Sequence, residues 1–127
     1  MTYLPSLHTP AEDVEFFGDL VRSGSWVMVA EVGGALVGFC AVRAGWVEHL
    51  YVRPGYQGQG IGEALLSAAI ADNEGELLLW VFEENTGAQR FYQRAGFYEI
   101  ERTDGSDNDE QVPDIKMRRH PVAVGSP

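Results

Sequence analysis

The segment at residues 57–62, Gln-Gly-Gln-Gly-Ile-Gly, restricts the fold of this chain more than any other. The residues before it, Trp46–Val52, read as a β-strand, and apolar residues recur at helical spacing after it. Three alternate glycines between a strand and a helix leave the backbone uncovered, so its N–H groups can face a ligand. The helix N-terminus adds partial positive charge, which favours an anion. The segment, called here the glycine bend, therefore predicts a diphosphate site; the alternative is a turn without a ligand.

Two familiar phosphate-binding loops do not fit the glycine bend. A Walker loop needs lysine and then serine or threonine after its last glycine, but Gly60 is followed by Ile61 and Gly62. A Rossmann fingerprint beginning at Gly58 needs glycine or alanine where the chain has Glu63. The bend would therefore hold phosphate through main-chain amides, without a cationic side chain.

The remaining pattern predicts a single mixed α/β domain. Thr9, Pro10 and Glu12 form a capping box for a first helix that ends at Gly24. Asn85 caps a later helix that ends at Gly96. A helix from residue 60 to 72 lies between them, on a face formed by Ile61, Ala64, Leu65 and Ala68. We predict strands over residues 26–31, 35–43, 46–52, 77–82, 97–102 and 114–117. The apolar strand 77–82 is typical of a strand covered on both faces.

Length and charge limit the classes of function. The 127 residues suffice for one domain, predicted over residues 1–120, with a disordered tail over residues 121–127. Nine Lys and Arg against nineteen Asp and Glu give 9 − 19 = −10. This charge argues against nucleic acid or an anionic membrane as a partner, since both need a cationic surface. It suits a cationic small molecule, and solubility alone is the simpler explanation.

Compartment and metal content follow from a few residue types. No stretch reaches the roughly 18 apolar residues of a membrane span. The first ten residues also lack the basic and apolar pattern of a secretory signal. The single cysteine, Cys40, cannot form an internal disulfide, and with three histidines it offers no thiolate zinc cluster. We therefore expect a cytoplasmic protein without a metal site.

Two motifs make the chain resemble a known family. Leu50-Tyr51-Val52-Arg53-Pro54, followed by the glycine bend, looks like motif A of the GCN5-related N-acetyltransferases, the GNAT family. Asn85, Ala88, Phe91-Tyr92 and Gly96-Phe97 resemble its motif B in register. The hairpin of residues 29–31 and 37–39 is similar to the second and third strands of the family, so the resemblance covers residues 26–100.

The resemblance implies a fold, a cofactor and a reaction. The fold is a mixed, mostly antiparallel sheet flanked by helices, with a splayed central strand pair. The reaction is transfer of the acetyl group of acetyl-CoA to a primary amine of a small molecule or peptide, by direct attack in a ternary complex. The implied cofactor-binding residues are Leu50, Tyr51 and Val52 along the pantetheine arm, Gln57, Gly58, Gln59, Gly60, Ile61 and Gly62 around the diphosphate, and Asn85 near the pantetheine.

Catalysis of acetyl transfer needs little beyond positioning, a base and an acid. Tyr92 occupies the place of a family tyrosine that protonates the departing thiolate, although its spacing also suits a core aromatic. Glu48, two residues before Leu50 and so on the same strand face, is the candidate base; a solvated carboxylate is the alternative. His49 is a second candidate base, and a packed histidine is its simpler reading. Cys40 lies in an apolar run and is predicted to be a buried structural thiol.

The chain departs from the family pattern at its start. Members usually have a strand and a helix before the segment that corresponds to residues 9–23, and we predict that both are missing here. The first two helices help to build the acceptor site in the family, so we expect the change to affect binding of the acceptor. The strand at residues 26–31 is also left as a sheet edge, from which we predict a homodimer or a strand supplied by a partner chain.

Two other functions remain open. One is a non-catalytic acyl-CoA-binding sensor or regulatory module, and the other is an unrelated nucleotide-phosphate binder. The acidic segment at residues 103–110 is a solvated loop by default. Folded over an acceptor pocket, it would favour an amine with several positive charges.

Overall fold

The computed structural model describes residues 10–121, with side chains described from residue 15 onward. Two compact units, Met1–Asn73 and Glu74–Pro127, divide the chain. The first unit holds α1 (Pro10–Arg22), β1 (Trp26–Val32), β2 (Ala35–Arg43), β3 (Trp46–Val52) and α2 (Ile61–Asp72). The second holds β4 (Leu77–Phe82), α3 (Thr86–Arg94), β5 (Tyr98–Thr103) and β6 (Asp114–Arg119). The predicted mixed α/β class is confirmed.

The first unit is built on an antiparallel meander of β1, β2 and β3. Gly33 and Gly34, with φ of 59° and 83°, turn β1 into β2. Ala44 and Gly45, with φ of 51° and 84°, turn β2 into β3. Two consecutive residues with positive φ match the right-handed twist of a hairpin, which explains the glycines at these points.

The core of the first unit lies on β2. Residues 37–42 are buried throughout, because helices cover the strand. Helix α2 buries Leu65, Leu66 and Ala69, whereas Ala64, which we had expected on the buried face, is exposed. The rings of Phe16 and Phe17 on α1 contact that of Phe39, with centroids 5.6 and 5.2 Å apart.

Gly38 lies where β2, β3 and α2 pack closely together. A Cβ at this position would lie 2.7 Å from the carbonyl oxygen of Tyr51 on β3. It would also lie 3.3 Å from a methyl carbon of Leu65 and 3.4 Å from one of Ile61, both on α2. The beginning of α2 therefore sits on the β2–β3 pair at a point where there is no side chain.

The second unit is a three-stranded antiparallel arrangement in which β6 pairs with both β4 and β5. On β4 Leu77, Leu79 and Val81 are buried, and the alternate residues are half-buried rather than fully covered. Asn85 caps α3 as predicted, because its side-chain oxygen accepts a hydrogen bond from the N–H of Ala88 at 3.0 Å.

Some of the sequence predictions are not tested by the structure. Thr9, half of the predicted capping box, and residues 122–127 of the predicted tail lie outside the described residues. The single domain over residues 1–120 and the splayed strand pair stay predictions. Among the described residues, no helix combines the length and the apolar character needed to cross a membrane.

Candidate functional site

The glycine bend is an open stretch of backbone held by left-handed glycines. Gly58 and Gly60 have φ of 79° and 84°, a region that L side chains rarely adopt. A Cβ at either position would meet nothing within 4 Å, and residues 57–60 are exposed. Space beside the bend is therefore free for a ligand, while the backbone conformation itself requires glycine.

The hydrogen-bond donors of the bend are unused. In the part of the chain that the structure describes, no backbone N–H of residues 57–63 donates to a protein acceptor, and the first helical bond runs from Ala64 N–H to the Gly60 carbonyl. The side-chain amides of Gln57 and Gln59 instead donate to the carbonyls of Val52 and Gly55, at 3.2 and 3.3 Å. The two glutamine side chains thus bond to nearby carbonyls, and the backbone N–H groups of the bend are left available. Available N–H groups at a helix N-terminus can bind an anion.

Strand β3 leads directly into the bend. Leu50 is buried and pairs with Cys40 on β2, whereas Tyr51 and Val52 are half-buried. The ring of Tyr51 lies 6.1 Å from that of Phe39. Of the residues predicted along the pantetheine arm, these three thus lie on one regular segment of strand, held on one edge by β2.

Glu48 lies at an irregularity in β3 that the sequence did not reveal. Ala41 pairs with His49 and Val42 with Val47, so Glu48 is the extra residue of a β-bulge. Simple alternation, which we used to place Glu48 with Leu50, is interrupted here. The half-exposed Glu48 carboxylate lies 3.4 Å from the guanidinium of Arg43, at the end of β2. Arg43 was not among the predicted site residues, because the pairing depends on the hairpin register.

His49 is the next residue along β3 and has an apolar environment. Its ring centroid lies 5.7 Å from that of Phe39 and 6.0 Å from that of Phe16. Burial lowers the pKa of His49, and the neighbouring charge of Glu48 partly opposes this effect. The Nδ1 atom is buried without a hydrogen-bond partner among the described residues. The lowered pKa favours the uncharged form of His49 near neutral pH.

Tyr92 and Asn85, the site residues of the second unit, both lie on or next to α3. Tyr92 is 4% exposed, and its ring contacts those of Phe91 and Phe97 at 5.3 and 5.7 Å. Asn85 is exposed and its side-chain oxygen is already used by the helix cap. Loss of either residue would therefore affect the packing or the start of α3 as well as any role in a site.

Cys40 is a buried thiol on β2. Burial raises the pKa of the Cys40 thiol to about 12, so this residue is the inert structural thiol that its apolar neighbours predicted. Among the side chains described, from residue 15 to 121, no group of three His, Cys, Asp or Glu is arranged to hold a metal ion.

The acidic segment forms a loop closed by its own polar groups. Asn108 donates to the Val112 carbonyl at 2.7 Å and accepts from the Val112 N–H at 3.3 Å. The N–H groups of Gly105 and Ser106 donate to the side chains of Thr103 and Asp104, at 3.2 and 2.9 Å. We call residues 103–112 the closed loop, since hydrogen bonds from its own side chains hold its backbone path.

Residues 23–99 match the family profile described as acetyltransferase (GNAT) domain. An uncharacterized N-acetyltransferase of Methanocaldococcus jannaschii is 39% identical over 66% of this chain and 44% of its own length. The peptidyl-lysine N-acetyltransferase YjaB of Salmonella typhimurium is 33% identical over 84% of this chain and 73% of its own. The chain spans about half the length of the first curated relatives it matches.

A solved structure has a similar fold. The ribosomal-protein-S18-alanine N-acetyltransferase of Escherichia coli superposes with a TM-score of 0.73 at 24% identity, covering 88% of this chain and 79% of the other. The likeness extends to both units, because 88% coverage cannot be reached by either unit alone.

Proposed function

The chain belongs to the GNAT family of acetyltransferases, and we propose that it transfers the acetyl group of acetyl-CoA to a primary amine by direct attack in a ternary complex. One observation carries this proposal: the glycine bend presents a run of unused N–H groups at the start of α2. We propose further that residues 1–120 act as one domain and that the reaction takes place in the reducing cytoplasm.

The bend suits the diphosphate of the coenzyme on chemical grounds. Main-chain N–H groups and the positive end of α2 would bind the phosphate oxygens. This mode of binding needs no cationic side chain in the site, in a protein whose net charge is −10. The open space beside Gly58 and Gly60 supports the fit, since a Cβ there would reduce the approach of the phosphates.

Strand β3 would take the pantetheine arm. That arm carries amides at a spacing close to that of a peptide, so it can bond to a strand as an added strand does. Leu50, Tyr51 and Val52 would supply the backbone groups, and Asn85 would lie near the same arm. When bound, the coenzyme supplies the activated acetyl group as a thioester.

The chain's own side chains would move two protons. Glu48 would accept a proton from the attacking amine, and His49, whose lowered pKa favours the uncharged form near neutral pH, is the alternative acceptor. Tyr92 would donate a proton to the departing thiolate. The Arg43 guanidinium, 3.4 Å from the Glu48 carboxylate, would hold that carboxylate in place.

The acceptor class follows from charge and from one relative. An amine on a small molecule or a peptide fits the proposal, and the relative of Salmonella typhimurium is named for peptidyl lysine. The net charge of −10 would draw a cationic acceptor toward the protein. Neither nucleic acid nor a membrane is part of the proposal.

Binding tests the bend directly. Calorimetry should show that acetyl-CoA and CoA bind and that ATP binds much more weakly. A Gly60→Ala variant should lose about tenfold in acetyl-CoA affinity, because the added carbon narrows the approach to the N–H groups and strains a residue at φ 84°. Gly34→Ala is the matched control, since Gly34 has φ 83° and open space but lies in the β1–β2 turn.

Two binding results would contradict the proposed cofactor. Equal affinity for ATP would favour a general nucleotide-phosphate binder. Equal loss of affinity in the Gly60→Ala and Gly34→Ala variants would show that strain, rather than the bend, controls binding.

Turnover tests the chemistry. Release of CoA thiol should be detected across a panel of polyamines, amino acids, aminoglycosides and lysine peptides. Tyr92→Phe should lower kcat by roughly a hundredfold at unchanged acetyl-CoA affinity, the usual scale of a lost general acid. Tyr98→Phe removes a hydroxyl from an exposed ring and should change nothing. Coenzyme binding with no turnover on any acceptor would instead favour a non-catalytic acyl-CoA sensor.

A further inference from the structure

Helix α3 buries a single side chain in the second unit. The helix has nine residues, all of them described, and only Tyr92 is buried. The ring of Tyr92 packs against those of Phe91 and Phe97. One buried ring fixes how deeply a short helix packs, but it fixes the position of the helix along the neighbouring strand less well. Polar contacts at the two ends of α3 therefore contribute to that position.

The N-terminal end of α3 is attached to β4 by Gln89. The side-chain amide of Gln89 donates to the carbonyl of Phe82, the last residue of β4, at 3.0 Å and to that of Glu83 at 2.8 Å. The Phe82 carbonyl also accepts from the N–H of Asn85, at 3.0 Å. A glutamine amide has two N–H donors, and here one half-buried side chain directs its nitrogen to two consecutive carbonyls. Gln89 thus holds the end of β4 against the first turn of α3.

The strand end that Gln89 holds is also attached to β6. The N–H of Glu83 donates to the carbonyl of Pro113 at 2.9 Å, and Phe82 pairs with Asp114, the first residue of β6. The two carbonyls that Gln89 contacts therefore belong to a segment that the sheet keeps in place. The contact fixes α3 relative to β4 and β6 rather than relative to a free turn.

A different side chain holds the C-terminal end of α3. Arg119, the last residue of β6, donates from its Nε atom to the carbonyl of Ala95 at 2.8 Å. A cation at this end of a helix also interacts favourably with the helix dipole. Because Arg119 holds the far end independently, loss of the Gln89 side chain would release one end of α3 while the other stays attached.

We propose that Gln89 is a positioning residue that sets the place of Tyr92 for proton donation, an inference that rests on the proposed function, in which Tyr92 is the acid. Gln89 and Tyr92 are three residues apart, so they are neighbours on one side of the helix. Without the bonds from Gln89, the N-terminal end of α3 shifts along β4 and the Tyr92 ring moves with it. Proton transfer requires hydrogen-bond reach to the accepting atom, so the loss appears in kcat.

Steady-state kinetics of the full chain tests the proposal. Gln89→Leu, which keeps a side chain of similar size and removes the N–H donors, should lower kcat by about tenfold at unchanged acetyl-CoA affinity. Gln93→Leu is the matched control, because Gln93 is an exposed glutamine one turn later on the same helix, and it should keep the wild-type kcat. Lower affinity at unchanged kcat would mean that Gln89 acts through Asn85, which would overturn the proposal.

A double-mutant cycle separates the positioning of Tyr92 from a general effect on the fold. In a Tyr92→Phe background, Gln89→Leu should lower kcat no further, because the hydroxyl that Gln89 positions is already gone. A general loosening of the fold would lower kcat by the same factor in both backgrounds, and that result would contradict the proposal. Circular dichroism establishes that each variant folds. Gln89→Glu, which has the same length and also lacks the N–H donors, replaces Gln89→Leu if the latter does not fold.

NMR tests the position of the ring without turnover. The aromatic ¹H–¹³C signals of Tyr92, assigned by their loss in Tyr92→Phe, should shift in Gln89→Leu and keep their positions in Gln93→Leu. Unshifted signals in Gln89→Leu would overturn the proposal. Shifted signals in a protein that shows no turnover would support the placement of Tyr92 and contradict the proposed function instead, so the two failures are distinguishable.

Discussion

The glycine bend and the closed loop are both irregular, and both contain residues with positive φ. They differ in whether their backbone N–H groups have hydrogen-bond acceptors within the protein. In the bend no N–H of residues 57–63 has a protein acceptor among the described residues, and Gly58 and Gly60 adjoin open space. In the closed loop Gly105 is buried, and Asn108 bonds both polar groups of Val112. A loop held by its own hydrogen bonds needs only to keep its conformation, whereas a loop with unused N–H donors is suited to bind a ligand.

The largest difference between the two loops should be in the loss of unfolding free energy when a glycine in each is replaced by alanine. A Cβ on Gly105 would lie 2.3 Å from the Val112 carbonyl, at φ 86°. We expect Gly105→Ala to lower the free energy of unfolding by about 3 kcal/mol, from overpacking and positive φ together. Gly58→Ala, in open space, should cost only about 1 kcal/mol. Urea unfolding measures both, and equal losses would remove the distinction between the loops.

The next largest effect should follow removal of the Asn108 side chain. Asn108→Ala leaves the Val112 N–H and carbonyl without their partner, which should cost about 2 kcal/mol of unfolding free energy. Asn108→Asp keeps an acceptor and loses the donor, so its loss should be intermediate. Acetyl-CoA affinity should stay unchanged in both variants; a drop in affinity would mean that the closed loop also takes part in binding.

Hydrogen exchange should separate the loops without any mutation. Amides of the glycine bend should exchange quickly in the free protein and slow by about tenfold when acetyl-CoA is added, because the phosphates then accept their hydrogen bonds. Amides of Ser106 and Val112 already have acceptors and should exchange at the same rate in both states. Protection of the closed loop alone would place the coenzyme elsewhere.

The smallest effect should be the contribution of Asp104, in the closed loop, to the pH dependence of stability. The pKa of Asp104 is below its ordinary value of 3.8, chiefly because the N–H of Ser106 donates to the carboxylate. The folded state therefore binds this proton less readily than the unfolded one. The stabilisation is present above pH 3.8 and is lost as the pH falls through the folded pKa. NMR titration of the carboxyl group measures it, and an unshifted titration would contradict this hydrogen bond.

Local patterns predicted most of the secondary structure. The bounds of β2, β3 and β4 agree with the predicted segments, and the Asn85 cap is confirmed. These features depend on residues close in sequence: alternation, hairpin glycines and a side chain that bonds three residues ahead. The glycine bend was identified for the same reason, since its glycines and the following helix are contiguous.

Features that depend on register or on distant contacts could not be predicted. The bulge at Glu48 and its ion pair with Arg43 arise from how β2 and β3 align, which neither strand's own pattern specifies. The hydrogen bonds of the closed loop were not predicted, because they depend on the backbone path between Thr103 and Val112. Roles for Tyr92 and Glu48 stay predictions, since a buried ring and a half-exposed carboxylate are each compatible with a structural role.

Gly38 limits which amino-acid substitutions this domain can accept. It touches no proposed ligand, but any larger residue there would push the Tyr51 carbonyl away from β2 or lift Ile61, the residue at which the bend enters its helix. A saturation library selected for coenzyme capture should therefore accept only glycine at position 38, while the neighbouring hairpin tip at Gly33 tolerates asparagine or aspartate. The close packing at Gly38 would thus restrict which sequences retain the binding surface at residues 57–62, later in the chain.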